Sequence, residues 1–179
     1  MKSLDIVVLC KLLSYEKDKQ AWTYQKLSKE SLIPIGEVHA SIKRLVKSNL
    51  YNEVNKVVNR KSMEEFLLHG MQYVFPPEYL PIERGVGTSH NGPVLNKEFD
   101  TTDHSIEKYV WPYYKGKEKG IGIKPLSKRL AEAALKDIYL HKLLSVIDAL
   151  RAGKARDKNF ALSFLKSELA YKWMKVVTT

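Results

Sequence analysis

Apolar positions recur with a helical period through the first third of the chain. Ile6, Leu9, Cys10 and Leu13 follow Ser3, which can cap a helix, and predict a first helix ending near Tyr15. The charged run Glu16 to Gln20 reads as a turn. A short second helix, TYQKLSKES, is predicted behind Thr23 as its N-cap, with Leu27 inward and Lys26 and Lys29 solvated. After Ser31-Leu32-Ile33 the pattern is clearest, in the stretch Ile33 to Leu50. There Ile35, Val38, Ile42 and Leu45 fall at i, i+3, i+7 and i+10 on one side of a helix. Gly36, Ala40, Lys43, Arg44 and Lys47 face the other way, and Pro34 sits near the first turn, where its missing N–H costs little.

The period then changes. LYNEVNKVV, Leu50 to Val58, is β-prone, with Asn55-Lys56 where a tight turn would lie. Asn59 predicts a capped fourth helix, RKSMEEFLLHGMQYV, with Met63, Phe66, Leu67, Gly70 and Val74 inward and Pro76-Pro77 ending it. From Pro76 to about Asp103 no period is legible, and the stretch is expected to be a long irregular loop. It contains RGVGTSH, in which Gly85 and Gly87 would permit positive φ or close chain approach. Arg84 would anchor this loop to a carboxylate or to backbone carbonyls.

Ser127 begins a further helical region, with Asp137 as a second cap. Leu140, Leu143, Leu144, Ile147 and Leu150 form an apolar stripe up to Gly153. A last helix, about Ala155 to Trp173, carries Phe160, Phe164, Leu165 and Leu169. The two stripes are more apolar surface than a helical hairpin covers by itself, which points to a homodimer. The expected architecture is mainly α: an N-terminal winged helix-turn-helix with a short wing and a following helix (1–75), a long central loop region that is Gly/Pro-rich and then aromatic and basic (76–126), and a C-terminal helical hairpin (127–179).

Composition sharpens the choice of partner. The chain has 179 residues, is 44% hydrophobic and carries a net charge of +10 with a pI near 9.5. One core is within reach of this length, and the charge favours an acidic partner, nucleic acid ahead of membrane. The segment KYVWPYYKGKEKGIGIKPLSKR, Lys108 to Arg129, interleaves aromatics with lysines. It fits a strand pair or loop packed by its own rings, or a surface on which unpaired bases stack. The single cysteine, Cys10, excludes an intrachain disulfide and multi-cysteine metal sites and belongs to a buried apolar run. That run is too short to span a bilayer and no cleavage pattern follows it, so a cytoplasmic protein is expected.

Catalytic chemistry finds little support. No pair among His39, His69, His90, His104 and His141 has helical metal-ligand spacing. His90 with Asp100, Asp103 and His104 would form a metal or acid–base cluster only if the central loop folded back. The glycines of RGVGTSH miss the phosphate-loop and dinucleotide spacings. Asp148 and Arg151, three apart on one helix, are explained by an ion pair, with a phosphate site beside Arg156 as the sharper alternative. The expectation is a binding protein with no cofactor, catalytic residue or metal, and not an enzyme.

For a DNA-binding reading, the third helix is the reading head. Lys43, Arg44 and Lys47, supported by Lys56, Arg60 and Lys61 from the wing region, would contact phosphates. Glu37 and Ala40 would face the groove, with His39 flanking them less squarely. Several strings carry a resemblance: LDIVVLCKLL, SLIPIGEVHASIKRL with Glu37-Val38-His39, EEFLLHGMQYVFPP, RGVGTSH and IDALRAGKARDKNFA. In that order they resemble a family of bacterial winged-helix proteins of the broad MarR-like type, over nearly the whole chain in pieces. The bulky Leu32 replaces the usual small residue of the turn, and Pro34 replaces a Ser cap. The resemblance implies a DNA-binding fold without a known effector or operator. The expected function is thus sequence-specific binding of double-stranded DNA by a dimeric transcriptional regulator, its small-molecule effector unknown. The alternative is a winged-helix effector or interaction protein that binds RNA or another protein, with a phosphate-recognising enzyme third.

Overall fold

A computed structural model describes residues 1–97 and 107–170. The architecture is mainly α. Three helices come first: α1 (Ser3–Lys17), α2 (Tyr24–Ser31) and α3 (Ile35–Lys47). An antiparallel hairpin follows, β1 (Tyr51–Asn52) with β2 (Val57–Val58), and then α4 (Arg60–His69) and the single turn α5 (Met71–Val74). The caps at Thr23 and Asn59 form as expected, their side-chain oxygens accepting from Lys26 N and Ser62 N. Ser3 does not cap α1; its hydroxyl donates to Leu126 O, and Lys2 occupies the cap position. The single helix expected from Arg60 to Val74 is broken at Gly70, where an added Cβ would lie 3.1 Å from the Phe66 ring.

The central stretch departs most from expectation. Rather than a loop, Tyr79–Thr88 is a ten-residue strand, β3, and the aromatic-basic segment supplies β4 (Tyr109–Pro112) and β5 (Glu118–Ile123). β3 pairs antiparallel with β5 along its first part and with β4 along its last. One coil of chain then brings Ile121 beside Tyr109 in parallel, which closes a small three-stranded barrel. Pro81 and the two glycines hid this strand. Proline cannot donate to a ladder, and it sits where the register shifts between Leu80 and Ile82, a bulge that needs no donor there. Gly85 lies at the crossing, paired with both Pro112 and Glu118, and an added Cβ would lie 2.2 Å from Trp111 O. Of the two roles foreseen for the RGVGTSH glycines, close approach is the one used; neither has positive φ. Arg84 anchors nothing: among the described residues its exposed side chain meets no carboxylate or carbonyl.

Helices α6 (Leu130–Lys136), α7 (Ile138–Ala152) and α8 (Ala155–Ala170) complete the described chain. Asp137 caps α7 as expected, accepting from Leu140 N at 2.9 Å, and also binds Lys11 Nζ (2.7 Å) and Ser14 Oγ (3.0 Å) of α1. Helix α1 is enclosed on every side from Asp5 to Tyr15, packed between α3 and α7. One continuous apolar cluster therefore runs through all three sequence segments. Leu140, Leu143, Leu144, Ile147 and Leu150 are buried by α1, α5 and α8 of the same chain. The α7 half of the apolar surplus that pointed to a homodimer is covered internally, while Phe160 of the α8 stripe is 37% exposed. The end of the last helix expected near Trp173 lies outside the described residues. Among those residues no helix is long and apolar enough to cross a membrane.

Candidate nucleic-acid interface

Helix α3 packs Val38, Ser41, Ile42 and Leu45 inward. Ile35, predicted to join them, is 44% exposed at the first turn, where the helix has not yet met the core. The outward arc consequently turns toward Ile35, Gly36, His39, Lys43, Val46 and Lys47, all exposed. At Gly36 an added Cβ would meet nothing within 4 Å, so the front of the helix is open. Lys43 and Lys47, four residues apart on this arc, make no ion pair among the described residues.

The opposite flank of α3 is occupied. Arg44 donates from Nε and Nη2 to the two carboxylate oxygens of Asp5, at 2.8 and 2.7 Å. Asp5 is wholly buried and also accepts from Lys2 N at 2.7 Å. Burial pushes its carboxyl up, but the bonds from Arg44 and Lys2 outweigh that and hold it below the usual value. Arg44 is thus a strut between α3 and α1, not a free phosphate contact. Glu37 lies on the same flank, 3.2 Å from Lys2 Nζ and 3.9 Å from Arg44 Nη2, and Ala40 is half-buried beside it. His39 takes their place on the outward arc. Its ring stacks on Tyr24 of α2 at 3.8 Å, and Tyr24 OH donates to Glu53 of the hairpin at 3.3 Å. Sequence reasoning missed Tyr24, because nothing in its spacing shows that it ties α2, α3 and the hairpin together.

The hairpin turn spans four residues, 53–56, with Asn55 N donating to Asn52 Oδ1 at 2.9 Å. Val54 stands at its tip, 92% exposed, and Lys56 is exposed with φ +52°. Lys61 is exposed on α4, while Arg60 turns inward. Its Nη2 donates to Glu16 Oε2 at 3.1 Å, and its Nη1 reaches Glu168 O at 3.4 Å. Glu16 also accepts from Val58 N, so one carboxylate at the end of α1 holds both the hairpin base and α4. Of the nine residues expected at the interface, His39, Lys43, Lys47, Lys56 and Lys61 are exposed. Glu37, Arg44 and Arg60 are held in ion pairs, and Ala40 is half-buried.

The other polar clusters are structural. Asp148 accepts from Thr88 Oγ1 (2.9 Å), Trp111 Nε1 (2.6 Å) and Arg151 Nη1 (2.6 Å). Arg151 also donates to Phe75 O (2.7 Å) and Pro76 O (3.2 Å). Both side chains are buried, their bonds fasten the barrel to α7, and all three guanidinium nitrogens of Arg151 already donate within the protein. Burial pushes the Asp148 carboxyl up against the pull of Arg151, Trp111 and Thr88. It also pushes the Cys10 thiol up, away from thiolate chemistry. His141 bonds Gly87 O at 2.8 Å, and His90 lies 3.7 Å from Asp157. The cluster of His90 with Asp100, Asp103 and His104 falls largely outside the described residues. Within them no three metal-ligating side chains gather.

Comparison of the chain with protein-family models, with curated proteins and with solved structures finds no match. The class these observations define is therefore a mainly α protein with a two-stranded hairpin and a small closed barrel.

Proposed function

We propose that α1 to β2 form a winged helix-turn-helix and that the protein binds double-stranded DNA sequence-specifically as a transcriptional regulator. One observation carries this reading: Lys43 and Lys47 stand unpaired on the same arc of α3 as the open front at Gly36. A helix whose first turn is narrow enters a major groove closely, and long cations behind it reach the flanking phosphates. Gly36 and His39 then face base edges, and Lys43, Lys47, Lys56 and Lys61 bind the backbone. Such binding calls for no cofactor and no catalysis.

The test is a salt titration of duplex binding. Lys43→Ala/Lys47→Ala removes up to two phosphate contacts, so the log–log salt slope becomes shallower by roughly 0.9 per contact. Affinity falls alike for every duplex, because phosphates carry no base identity. Gly36→Trp fills the open front and blocks groove entry while circular dichroism stays that of the parent. Unchanged affinity and slope in both folded variants would remove α3 as the reading head and with it the DNA-binding assignment.

A further inference from the structure

The barrel brings together cations that the sequence scatters over thirty-five residues. Arg84 of β3 and Lys119 of β5 are direct cross-strand partners, so two like charges sit opposite each other, an arrangement that disfavours the sheet. Lys117, just before β5, lines the same groove of about 310 Å³ beside Ile82. The turn from Tyr113 to Gly116 is folded directly against this point. Tyr113 N donates to Arg84 O at 3.1 Å, and an added Cβ on Gly116 would lie 2.1 Å from Gly85 O. That turn holds out Tyr114, 75% exposed, with Lys115 Nζ 5.3 Å from its ring centroid.

Two carboxylates, Glu83 and Glu118, also line the groove, and Glu118 accepts from Asn91; against the three cations Arg84, Lys117 and Lys119 they leave it net positive by one charge. Arg84, Lys117 and Lys119 make no ion pair among the described residues, while Lys115 is held by Tyr114 and feels the charge of Glu132. Three cations on a groove, beside a turn that holds out an exposed tyrosine and its neighbouring lysine, fit a phosphodiester strand whose bases are free to stack. A duplex would offer the phosphates but no base face for Tyr114.

We propose that Arg84, Lys115, Lys117, Lys119 and Tyr114 form a second nucleic-acid surface, on the barrel, which binds a single strand. The site is separate from α3 and does not depend on the duplex-binding reading.

The probe is a fluorescein-labelled twenty-nucleotide oligothymidylate. Arg84→Ala/Lys117→Ala/Lys119→Ala lowers its affinity about tenfold or more and makes the salt slope shallower by roughly 0.7 for each phosphate no longer neutralised. Tyr114→Ala weakens binding several-fold with the slope unchanged, and Tyr114→Phe restores it. Lys43→Ala/Lys47→Ala leaves oligothymidylate binding at the parent level. Because Arg84 and Lys119 repel each other, Arg84→Ala alone melts no lower than the parent, which keeps a loss of binding distinct from a loss of folding. Parent-like binding by the triple variant overturns the proposal, as does equal weakening in the α3 variant. Competition by polyglutamate as strong as by unlabelled oligothymidylate assigns the surface to an acidic polypeptide instead. Tyr114→Ala without effect leaves only a phosphate contact, and the single-strand assignment fails.

Discussion

Two arginines and two lysines on α3 and α4 divide by what lies opposite them. Arg44 and Arg60 face Asp5 and Glu16 across the interior, where forked donors suit carboxylates, while Lys43 and Lys47 face no acid. Neutralising the lysines is expected to change stability by no more than about 0.5 kcal/mol, as for other free surface groups. Asp5 is different, because its folded value lies below the 3.8 of an unfolded aspartate. A group depressed on folding contributes stability that is complete above the unfolded value and is lost as pH falls through the folded one. Asp5→Asn should therefore cost about 1–3 kcal/mol at neutral pH. In urea denaturation the gap to the parent should narrow below pH 3.8. A gap that stays constant down the acid range would detach this ion pair from acid sensitivity.

Among the elements, the β1–β2 hairpin separates stability from binding most cleanly. Its turn places Lys56 at φ +52°, a conformation that costs a side-chain-bearing residue about 1–2 kcal/mol and glycine almost nothing. Lys56→Gly is expected to raise the melting temperature and to weaken duplex binding at once, since the same change relieves strain and deletes a cation. A variant that melts higher and binds as tightly as the parent would take Lys56 out of the interface. Leu32 has φ +57° at the end of α2 but is half-buried, so a glycine there exchanges strain for poorer packing and gives no such clean outcome.

Across the whole molecule, α1 is the shared wall between the half proposed to read DNA and the C-terminal helices. Leu144 of α7 is 1% exposed within the cluster that α1 joins. Leu144→Ala should destabilise by about 2–5 kcal/mol through transfer and cavity terms. It should do so in one transition whose midpoint is independent of protein concentration. A midpoint that falls on dilution would instead place this stripe in a seam between copies.

The sequence by itself determined most of the helices, though not the break at Gly70, and with them the caps at Thr23, Asn59 and Asp137, the hairpin after Leu50 and the buried stripe of α7. These follow from periodicity and from side chains acting within three or four residues, which a linear reading contains. Only the tertiary structure decided the rest. It made a strand of Tyr79–Thr88, because partners from 109–123 supplied the ladder that Pro81 and the glycines had obscured. It rotated the outward arc of α3 toward His39, because Asp5 and Lys2, more than thirty residues away, claimed Arg44 and Glu37. It covered the α7 stripe with α1, which lies at the other end of the chain. Each of these was settled by a partner distant in sequence, and the identity of such a partner is fixed only once the chain has folded back on itself.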